Sequence, residues 1–229
     1  MVIGGFQKLS LVDYPGKVCS IVFTQGCNFR CPYCHNPELV EVKKKGAVQA
    51  EEILEYLEEK SWLIDGVCIT GGEPTLQGGL PCFIKKVKDI GLLVKLDTNG
   101  SNPIMVRELI AQRLVDYIAM DLKNPWARYG DIARSKNRAA IENCKKTFAV
   151  VQLSGIDHEF RTTVFPQLHT EEDFFEMAGY LREGEKYFLQ NIRYQKTLDA
   201  DIDASKTLDV ANIVLRLQER YSNVIIKER

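Results

Sequence analysis

The chain alternates between short runs of apolar, often β-branched residues and segments whose apolar residues recur at helical spacing. Runs of the first kind predict buried strands, and segments of the second kind predict amphipathic helices. Six strands are predicted in this way, at residues 18–24, 66–70, 92–97, 115–121, 159–165 and 187–190. The segment NVIIK near residue 225 is a candidate for a final strand.

Helical patterns separate these strands. Pro103 is placed as a first-turn proline that opens a helix ending near residue 112, and Thr170 is a candidate helix cap. A polar loop at 124–137 leads into a helix near Arg138. The helices are predicted around residues 50–57, 83–87, 103–112, 138–147, 171–181 and 210–221.

Strands that are each followed by a helix or long loop predict parallel pairing with right-handed crossovers. A doubly wound sheet and a barrel both satisfy this order. Polar motifs fall at or just beyond the ends of successive strands, which favours one rim that carries the chemistry, as in barrel enzymes. We therefore predict an α/β fold, a partial (β/α)6 barrel of parallel strands. With six units instead of eight, the barrel should be open on one side, where a large substrate could enter.

Composition narrows the class of protein. The 229 residues contain no Pro/Ser/Gly-rich linker, which predicts a single domain over 1–229, with a core at about 18–190 and a C-terminal helix and strand at about 205–227. The net charge of −1 offers no general attraction for nucleic acid. No apolar run approaches the roughly 20 residues that span a bilayer, and no signal-peptide pattern is seen, so a cytoplasmic location is expected. Thiols stay reduced there, which favours metal or catalytic roles for clustered cysteines.

The stretch GCNFRCPYCHNPEL carries Cys27, Cys31 and Cys34 directly after the first predicted strand. Three thiolates can hold three irons of a four-iron cluster and leave the fourth iron without a protein ligand. The alternative is a zinc site with His35 or a distant cysteine as the fourth ligand. Zinc sites usually use two separated ligand pairs, and no second C-x2-C exists here, so we favour the iron–sulfur interpretation. No cluster spacing connects the other cysteines, Cys19, Cys68, Cys82 and Cys144.

Four ordered motifs carry a resemblance to a known family. They are C-x3-C-x2-C with Tyr33 before its last cysteine, GGEP at 71–74, DTNG at 97–100 and DLK at 121–123. Together they resemble the radical S-adenosylmethionine (SAM) superfamily over nearly the whole chain. Within it, DYPGK at 13–17 and YCHNPEL at 33–39 are similar to the glycyl-radical-enzyme activases.

The resemblance implies a [4Fe-4S] cluster and SAM as cofactors and, as in related activases, a monovalent cation. SAM would chelate the open iron, and one electron from the reduced cluster would cleave its sulfonium bond. The resulting 5′-deoxyadenosyl radical would take a hydrogen atom from a glycine of a partner. The implied partner is anaerobic ribonucleoside-triphosphate reductase, with a one-electron donor such as flavodoxin or ferredoxin.

The resemblance also implies which residues form the site. Cys27, Cys31 and Cys34 would be the catalytic cluster ligands. Cofactor-binding roles are expected for Tyr33, Gly71, Gly72, Glu73, Asp97, Thr98, Asn99, Asp121, Lys123, Arg161 and His169.

Physical reasons can be given for several of these roles. Gly71 and Gly72 would let the backbone approach the methionyl amino group. Glu73 would accept a hydrogen bond from that group. Asp97 and Asp121 would hold the cation, since hard cations prefer oxygen ligands.

Other roles have alternatives. Lys123 would pair with the methionyl carboxylate or be a solvated surface lysine. Arg161 lies in an apolar strand and needs a partner, either SAM or Asp121. His169 would contact the cofactor or lie on the surface.

Two other functions remain open. The chain could be a radical SAM enzyme that acts on a small molecule or an RNA base, with the loop 124–137, containing Trp126, Arg128 and Tyr129, as a substrate lid. No basic stripe with interleaved aromatic residues is present, which argues against RNA and other nucleic acids. The second alternative is a non-catalytic binding module stabilised by zinc.

Overall fold

The computed structural model describes residues 1–42, 47–135, 137 and 139–229. Within these residues, eight strands form one sheet whose spatial order follows the chain. The strands are β1 (Ile3–Ser10), β2 (Cys19–Thr24), β3 (Gly66–Gly71), β4 (Leu93–Thr98), β5 (Tyr117–Asp121), β6 (Asp157–Val164), β7 (Lys186–Asn191) and β8 (Ile225–Glu228).

Strands β2 to β8 are parallel, and each new strand adds to the same edge of the sheet. A doubly wound sheet would instead reverse its strand order at a switch point. Right-handed crossovers that always step in one direction place the connecting helices on one face. The predicted α/β fold with parallel strands is confirmed, and the six predicted strands correspond to β2 to β7.

Two strands extend the sheet beyond those six. The candidate strand near residue 225 is β8, which pairs parallel to β7. The first strand, β1, was not predicted and pairs antiparallel to β2 with irregular register. Gly4 and Gly5 lie inside it and residues 7–9 are exposed, so it lacks the apolar run that identifies a buried strand.

The helices lie between the strands. They are α1 (Ala50–Glu59), α2 (Leu80–Asp89), α3 (Pro103–Ala111), α4 (Tyr129–Ala133), α5 (Ala139–Leu153), α6 (Glu171–Ala178) and α7 (Val210–Arg220). Thr170 forms a capping box with Asp173 at the start of α6, as its position predicts. Helix α4 was not predicted, α5 continues to Leu153, and the predicted start at Arg138 lies outside the described residues.

The two faces of the sheet differ in chemistry. The face toward the helices contributes residues such as Ile69, Leu96 and Ile118 to the main hydrophobic core. The opposite face, here called the inner face, carries a small apolar cluster that includes Tyr14 and Tyr117. Above this cluster the inner face becomes charged toward the carboxyl ends of the strands.

Among the described residues, no helix is long and apolar enough to cross a membrane. A single domain over residues 1–229 stays a prediction.

Candidate functional site

A chamber of about 220 Å³ lies at the carboxyl ends of the parallel strands. Its lining contains every predicted site residue except His169. These residues are Cys27, Cys31, Tyr33, Cys34, Gly71, Gly72, Glu73, Asp97, Thr98, Asn99, Asp121, Lys123 and Arg161. The carboxyl ends of parallel strands share one edge, so motifs far apart in sequence meet here. This cavity is called the cysteine chamber below.

The three clustered cysteines lie in a loop whose two ends are joined. After β2, the amides of Gly26 and Cys27 donate to the carbonyls of Leu39 and Val40 at 2.7 and 3.0 Å. The guanidinium of Arg30 donates to the carbonyl oxygen of Cys27 at 2.7 Å. These bonds hold the loop at the mouth of the sheet, where Cys27, Cys31 and Cys34 all line the chamber.

The surroundings of the thiols act in two directions, because hydrogen bonds favour a thiolate at Cys27 whereas burial favours the protonated form of all three cysteines. The Cys27 sulfur accepts from the amide of Phe29 at 3.4 Å and from the side-chain amide of Asn99 at 3.8 Å. Burial raises the pKa of Cys27 to about 12 and also raises the pKa values of Cys31 and Cys34. Metal binding overcomes such a barrier because the ligand is the thiolate. Hydrogen bonds to sulfur are one of the means by which proteins tune iron–sulfur clusters.

The zinc alternative requires a fourth ligand beside the three cysteines. Within the described ranges, no group of three or more His, Cys, Asp or Glu side chains is arranged to hold a single metal ion. His35 lines the same chamber, but it does not complete such a group with the cysteines. Three thiols around a common space suit a multi-iron cluster, whose irons are separate points, better than one zinc ion.

The structure shows a different reason for glycine at positions 71 and 72 of GGEP from the one predicted. Gly71 has φ +109°, and a Cβ there would lie 2.4 Å from the backbone nitrogen of Thr24. A Cβ on Gly72 would lie 2.3 Å from the carbonyl oxygen of Gly26. Both glycines are therefore required by the close approach of the end of β3 to the backbone leading into the cysteine loop.

Glu73 is fully buried and its carboxylate is bonded within the chain. One oxygen accepts from the hydroxyls of Thr75 and Thr98, the second at 2.7 Å, and the other oxygen accepts from the amide of Asn99 at 2.6 Å. Burial raises its pKa. Glu73 thus connects the turn after β3 to the end of β4, which positions Asn99 beside Cys27.

Five charged side chains form a network on the inner face. Arg161 donates to Asp97 at 3.0 Å and to Asp121 at 3.0 and 3.2 Å. Lys123 pairs with the second oxygen of Asp121 at 3.0 Å, and Lys95 pairs with the second oxygen of Asp97. The predicted partnership of Arg161 with Asp121 is present, and Lys123 is 8% exposed, so it is not a solvated surface lysine.

These pairs shift the ionisation of both carboxyls. Although burial opposes the charged form, Arg161 and Lys95 lower the pKa of Asp97 to about 2. Lys123 and Arg161 likewise lower the pKa of Asp121. Both carboxylates are therefore ionised at neutral pH and already paired with cations of the chain. The prediction that they also hold a monovalent cation stays a prediction.

His169 lies outside the lining of the chamber and is 3% exposed. The predicted surface position is therefore wrong, and contact with the cofactor stays a prediction. Its Nδ1 accepts from the amide of Phe165 at 2.9 Å, and its Nε2 donates to the carbonyl oxygen of Lys123 at 2.8 Å. Burial lowers its pKa to about 4, so the ring is neutral and can act as one donor and one acceptor. His169 positions the backbone of Lys123.

Trp126, Arg128 and Tyr129, which suggested a substrate lid, are packed away from the cysteine chamber. Trp126 stacks on Tyr129 and Tyr180, with ring centroids 5.1 and 5.7 Å apart. Arg128 pairs with Asp173 at 2.9 Å, and Tyr129 is fully buried. The three residues that suggested a lid are packed against the helices, and none of them lines the chamber.

A second chamber of about 740 Å³ adjoins the first. The two share Asp97, Arg161, Thr163 and Gln190 in their linings, and the second chamber also reaches Asp13 in the β1–β2 connection. Thr163 and Gln190 are register partners on β6 and β7. In the described part of the chain, neither side chain has a hydrogen-bond partner. Both remain able to bind a substrate group.

Sequence reasoning missed Thr163, Gln190 and Lys95. Thr163 and Lys95 each lie two residues from a predicted site residue, on the same face of the same strand. Gln190 lies one residue before the end of β7, near the level at which the predicted motifs lie on their strands. Strand alternation and the strand-end rule could have identified all three.

Comparisons with known proteins show the family of this chain. The family model of the radical SAM superfamily matches residues 21–181. A Methanocaldococcus jannaschii protein, provisionally named a glycyl-radical enzyme activating enzyme, is 33% identical over 210 residues, which cover 87% of this chain and 83% of that protein. The pyruvate formate-lyase-activating enzyme of Clostridium pasteurianum is 33% identical over 132 residues, with 54% of each chain covered.

A solved structure shows the same fold. Streptococcus suis SuiB bound to S-adenosylmethionine superposes with a TM-score of 0.69 at 15% identity. The match covers 91% of this chain and 49% of SuiB, so this chain corresponds to about half of that protein.

Proposed function

The chain belongs to the radical SAM superfamily, and on that premise we propose that it is an activase that generates a glycyl radical on a partner enzyme. The observation that carries this proposal is the identity of 33% over 83% of the length of the M. jannaschii protein that is provisionally named a glycyl-radical enzyme activating enzyme. That match covers 87% of this chain.

Radical SAM proteins use a [4Fe-4S] cluster and SAM, which together supply a 5′-deoxyadenosyl radical that abstracts hydrogen from a substrate. In this chain, Cys27, Cys31 and Cys34 would hold the cluster, since all three thiols line one chamber. Lys123 and Arg161 would attract the methionyl carboxylate, because the network of five charged side chains contains three cations and two carboxylates. Asn99 would support Cys27 through its side-chain amide.

The second chamber would receive the substrate glycine. Gln190 offers both a donor and an acceptor, and Thr163 offers a hydroxyl, which together can bind the amide and carbonyl of an extended peptide. A chamber of about 740 Å³ that adjoins the cysteine chamber is large enough for a short peptide segment. Glycine would fit at the junction because it has no side chain.

We propose anaerobic ribonucleoside-triphosphate reductase as the partner, because DYPGK and YCHNPEL are similar to the activase motifs. Asp13 of the first motif lines the second chamber, which supports a role near the substrate. A flavodoxin or ferredoxin would supply the electron. A cytoplasmic location is proposed because the three cysteine ligands must remain reduced.

The test is an anaerobic activation assay. The cluster-loaded chain, a reductant and SAM are mixed with the candidate reductase or with pyruvate formate-lyase, and electron paramagnetic resonance is recorded. We expect a glycyl radical on the reductase that is absent when its radical glycine is replaced by alanine. A matched control uses the Cys31→Ala chain.

The outcomes separate the levels of the proposal. A radical on pyruvate formate-lyase alone would replace the partner and keep the activase function. Rapid 5′-deoxyadenosine formation with no radical on either protein would defeat the activase function and favour a small-molecule substrate. No 5′-deoxyadenosine from cluster-loaded protein would refute the radical SAM chemistry itself.

A further inference from the structure

Lys95 occupies an unusual position for a lysine. It lies in the middle of β4 on the inner face, 2% exposed, with its ammonium against Asp97 and 3.7 Å from the sulfur of Cys68. We propose that the Lys95 ammonium serves, in this chain, in place of the monovalent cation expected from related activases, so that SAM binds without an added cation. The inference rests on the proposed SAM site but not on the identity of the substrate.

The four carboxylate oxygens that a cation would need are each already paired. Asp97 gives one oxygen to Lys95 and the other to Arg161 at 3.0 Å. Asp121 gives one oxygen to Arg161 at 3.0 Å and the other to Lys123 at 3.0 Å. Each oxygen therefore faces a positive group of the chain, and a metal ion placed among them would be repelled by all three.

The charge balance supports the same conclusion. Two carboxylates and three cations leave one positive charge, which a single methionyl carboxylate would neutralise. A potassium ion in addition would leave these five side chains and the methionyl carboxylate with one uncompensated positive charge. Without Lys95 the network would be neutral, and one oxygen of Asp97 would be free to repel the carboxylate of SAM or to bind a cation.

The register between β4 and β5 explains how the ammonium of Lys95 reaches Asp97. Lys95 pairs with Tyr117 on β5, and Asp97, two residues further along the same face, pairs with Ala119. Lys95 therefore approaches Asp97 from the side of the apolar inner cluster, below the level where Arg161 bridges the two carboxylates. A mobile cation is replaced by a tethered one that carries no hydration shell to remove.

The test compares SAM binding in different salts. SAM is titrated calorimetrically into the cluster-loaded chain in potassium, sodium or tetramethylammonium chloride at equal ionic strength. For the natural chain we expect the Kd to vary by less than about threefold among the salts. For Lys95→Met, which keeps the aliphatic stem, we expect binding about tenfold weaker in tetramethylammonium, equivalent to about 1.4 kcal/mol, and restored by potassium. The matched control is Lys85→Met, which removes an exposed lysine paired with Asp89 and should behave as the natural chain does.

Two results would overturn the inference. One is a saturable potassium dependence of SAM binding by the natural chain, a measurement that needs no variant to fold. The other is a Lys95→Met chain with normal iron content whose SAM affinity matches the natural chain in every salt, which would make Lys95 a structural partner of Asp97 only. Neither measurement involves a glycyl radical, so failure of the activase proposal would be seen separately.

Discussion

Replacing His169 by glutamine distinguishes a positioning role from cofactor contact. The ring accepts from Phe165 and donates to Lys123, so it stabilises the fold whether or not SAM is bound. Glutamine can still donate to the carbonyl of Lys123, but its acceptor oxygen lies one bond further from the main chain than Nδ1 does, which displaces it from the amide of Phe165. We expect His169→Gln to lower the free energy of unfolding at neutral pH by about 1–3 kcal/mol, the range for an unpaired buried donor.

The pH dependence gives a second and more specific signature. Burial lowers the pKa of His169 from 6.5 to about 4 in the folded chain. The unfolded chain therefore binds more protons over this interval, and the stability of the folded chain falls as pH decreases below the unfolded value. One pH unit corresponds to about 1.4 kcal/mol, so acidification to about pH 5 removes roughly 2 kcal/mol through this histidine. In His169→Gln this part of the acid destabilisation is absent.

Urea unfolding followed by circular dichroism measures both effects. Unfolding curves are recorded for the natural and His169→Gln chains at about pH 7.5 and about pH 5, before and after cluster loading. With a slope of about 2–3 kcal/mol per molar urea, the midpoint of the natural chain should fall by up to roughly 1 M more than that of the variant. Equal shifts in the two chains would contradict the buried neutral ring. A variant of unchanged stability that binds SAM more weakly would show that His169 contacts the cofactor.

Three further predictions concern the cluster, the glycine contact and the substrate chamber. Cys31→Ala should reduce bound iron from about four per chain to background and abolish anaerobic 5′-deoxyadenosine formation without loss of circular dichroism; iron retained with normal turnover would contradict it. Gly72→Ala should destabilise the chain by about 1–3 kcal/mol or more, because the added Cβ would lie 2.3 Å from the carbonyl oxygen of Gly26. The control Gly91→Ala should cost only backbone strain, because no heavy atom lies within 4 Å of the added Cβ. Similar melting temperatures for the two variants would refute this prediction. Gln190→Leu should keep SAM affinity within about twofold and reduce the glycyl-radical yield about tenfold, and an unchanged yield would exclude Gln190 from substrate binding.

Strands β2 to β7 could be predicted from the sequence because buried parallel strands are nearly continuous apolar runs. Each of β2 to β7 lies within two residues of its predicted bounds. The edge strand β1 could not be predicted, because a half-exposed strand with two internal glycines has neither a continuous nor an alternating apolar pattern. Helix α4 was missed for a related reason: Tyr129 and Ile132 are buried within a segment that is otherwise polar.

The site was predictable at the level of motifs. Parallel strands bring their carboxyl ends to one edge, so the cysteine loop, GGEP, DTNG, DLK and Arg161 had to come together if the strands were correctly identified. The contacts made by these motifs were not predictable. Whether Glu73 faces a cofactor or the amide of Asn99 depends on how the turn after β3 meets the end of β4, which no local pattern encodes.

The sequence by itself determined the order of strands and helices, the three-cysteine loop and the shared rim, because periodicity and strand-end position are local properties. Only the tertiary structure decided the partners of the charged groups: Lys95 and Arg161 on Asp97, and Lys123 on Asp121. It also decided that His169 supports Lys123 from outside the chamber and that Gly72 is required by the backbone of Gly26. These contacts join residues separated along the chain, and their geometry follows from sheet register and crossover packing, which appear only when the whole fold is assembled.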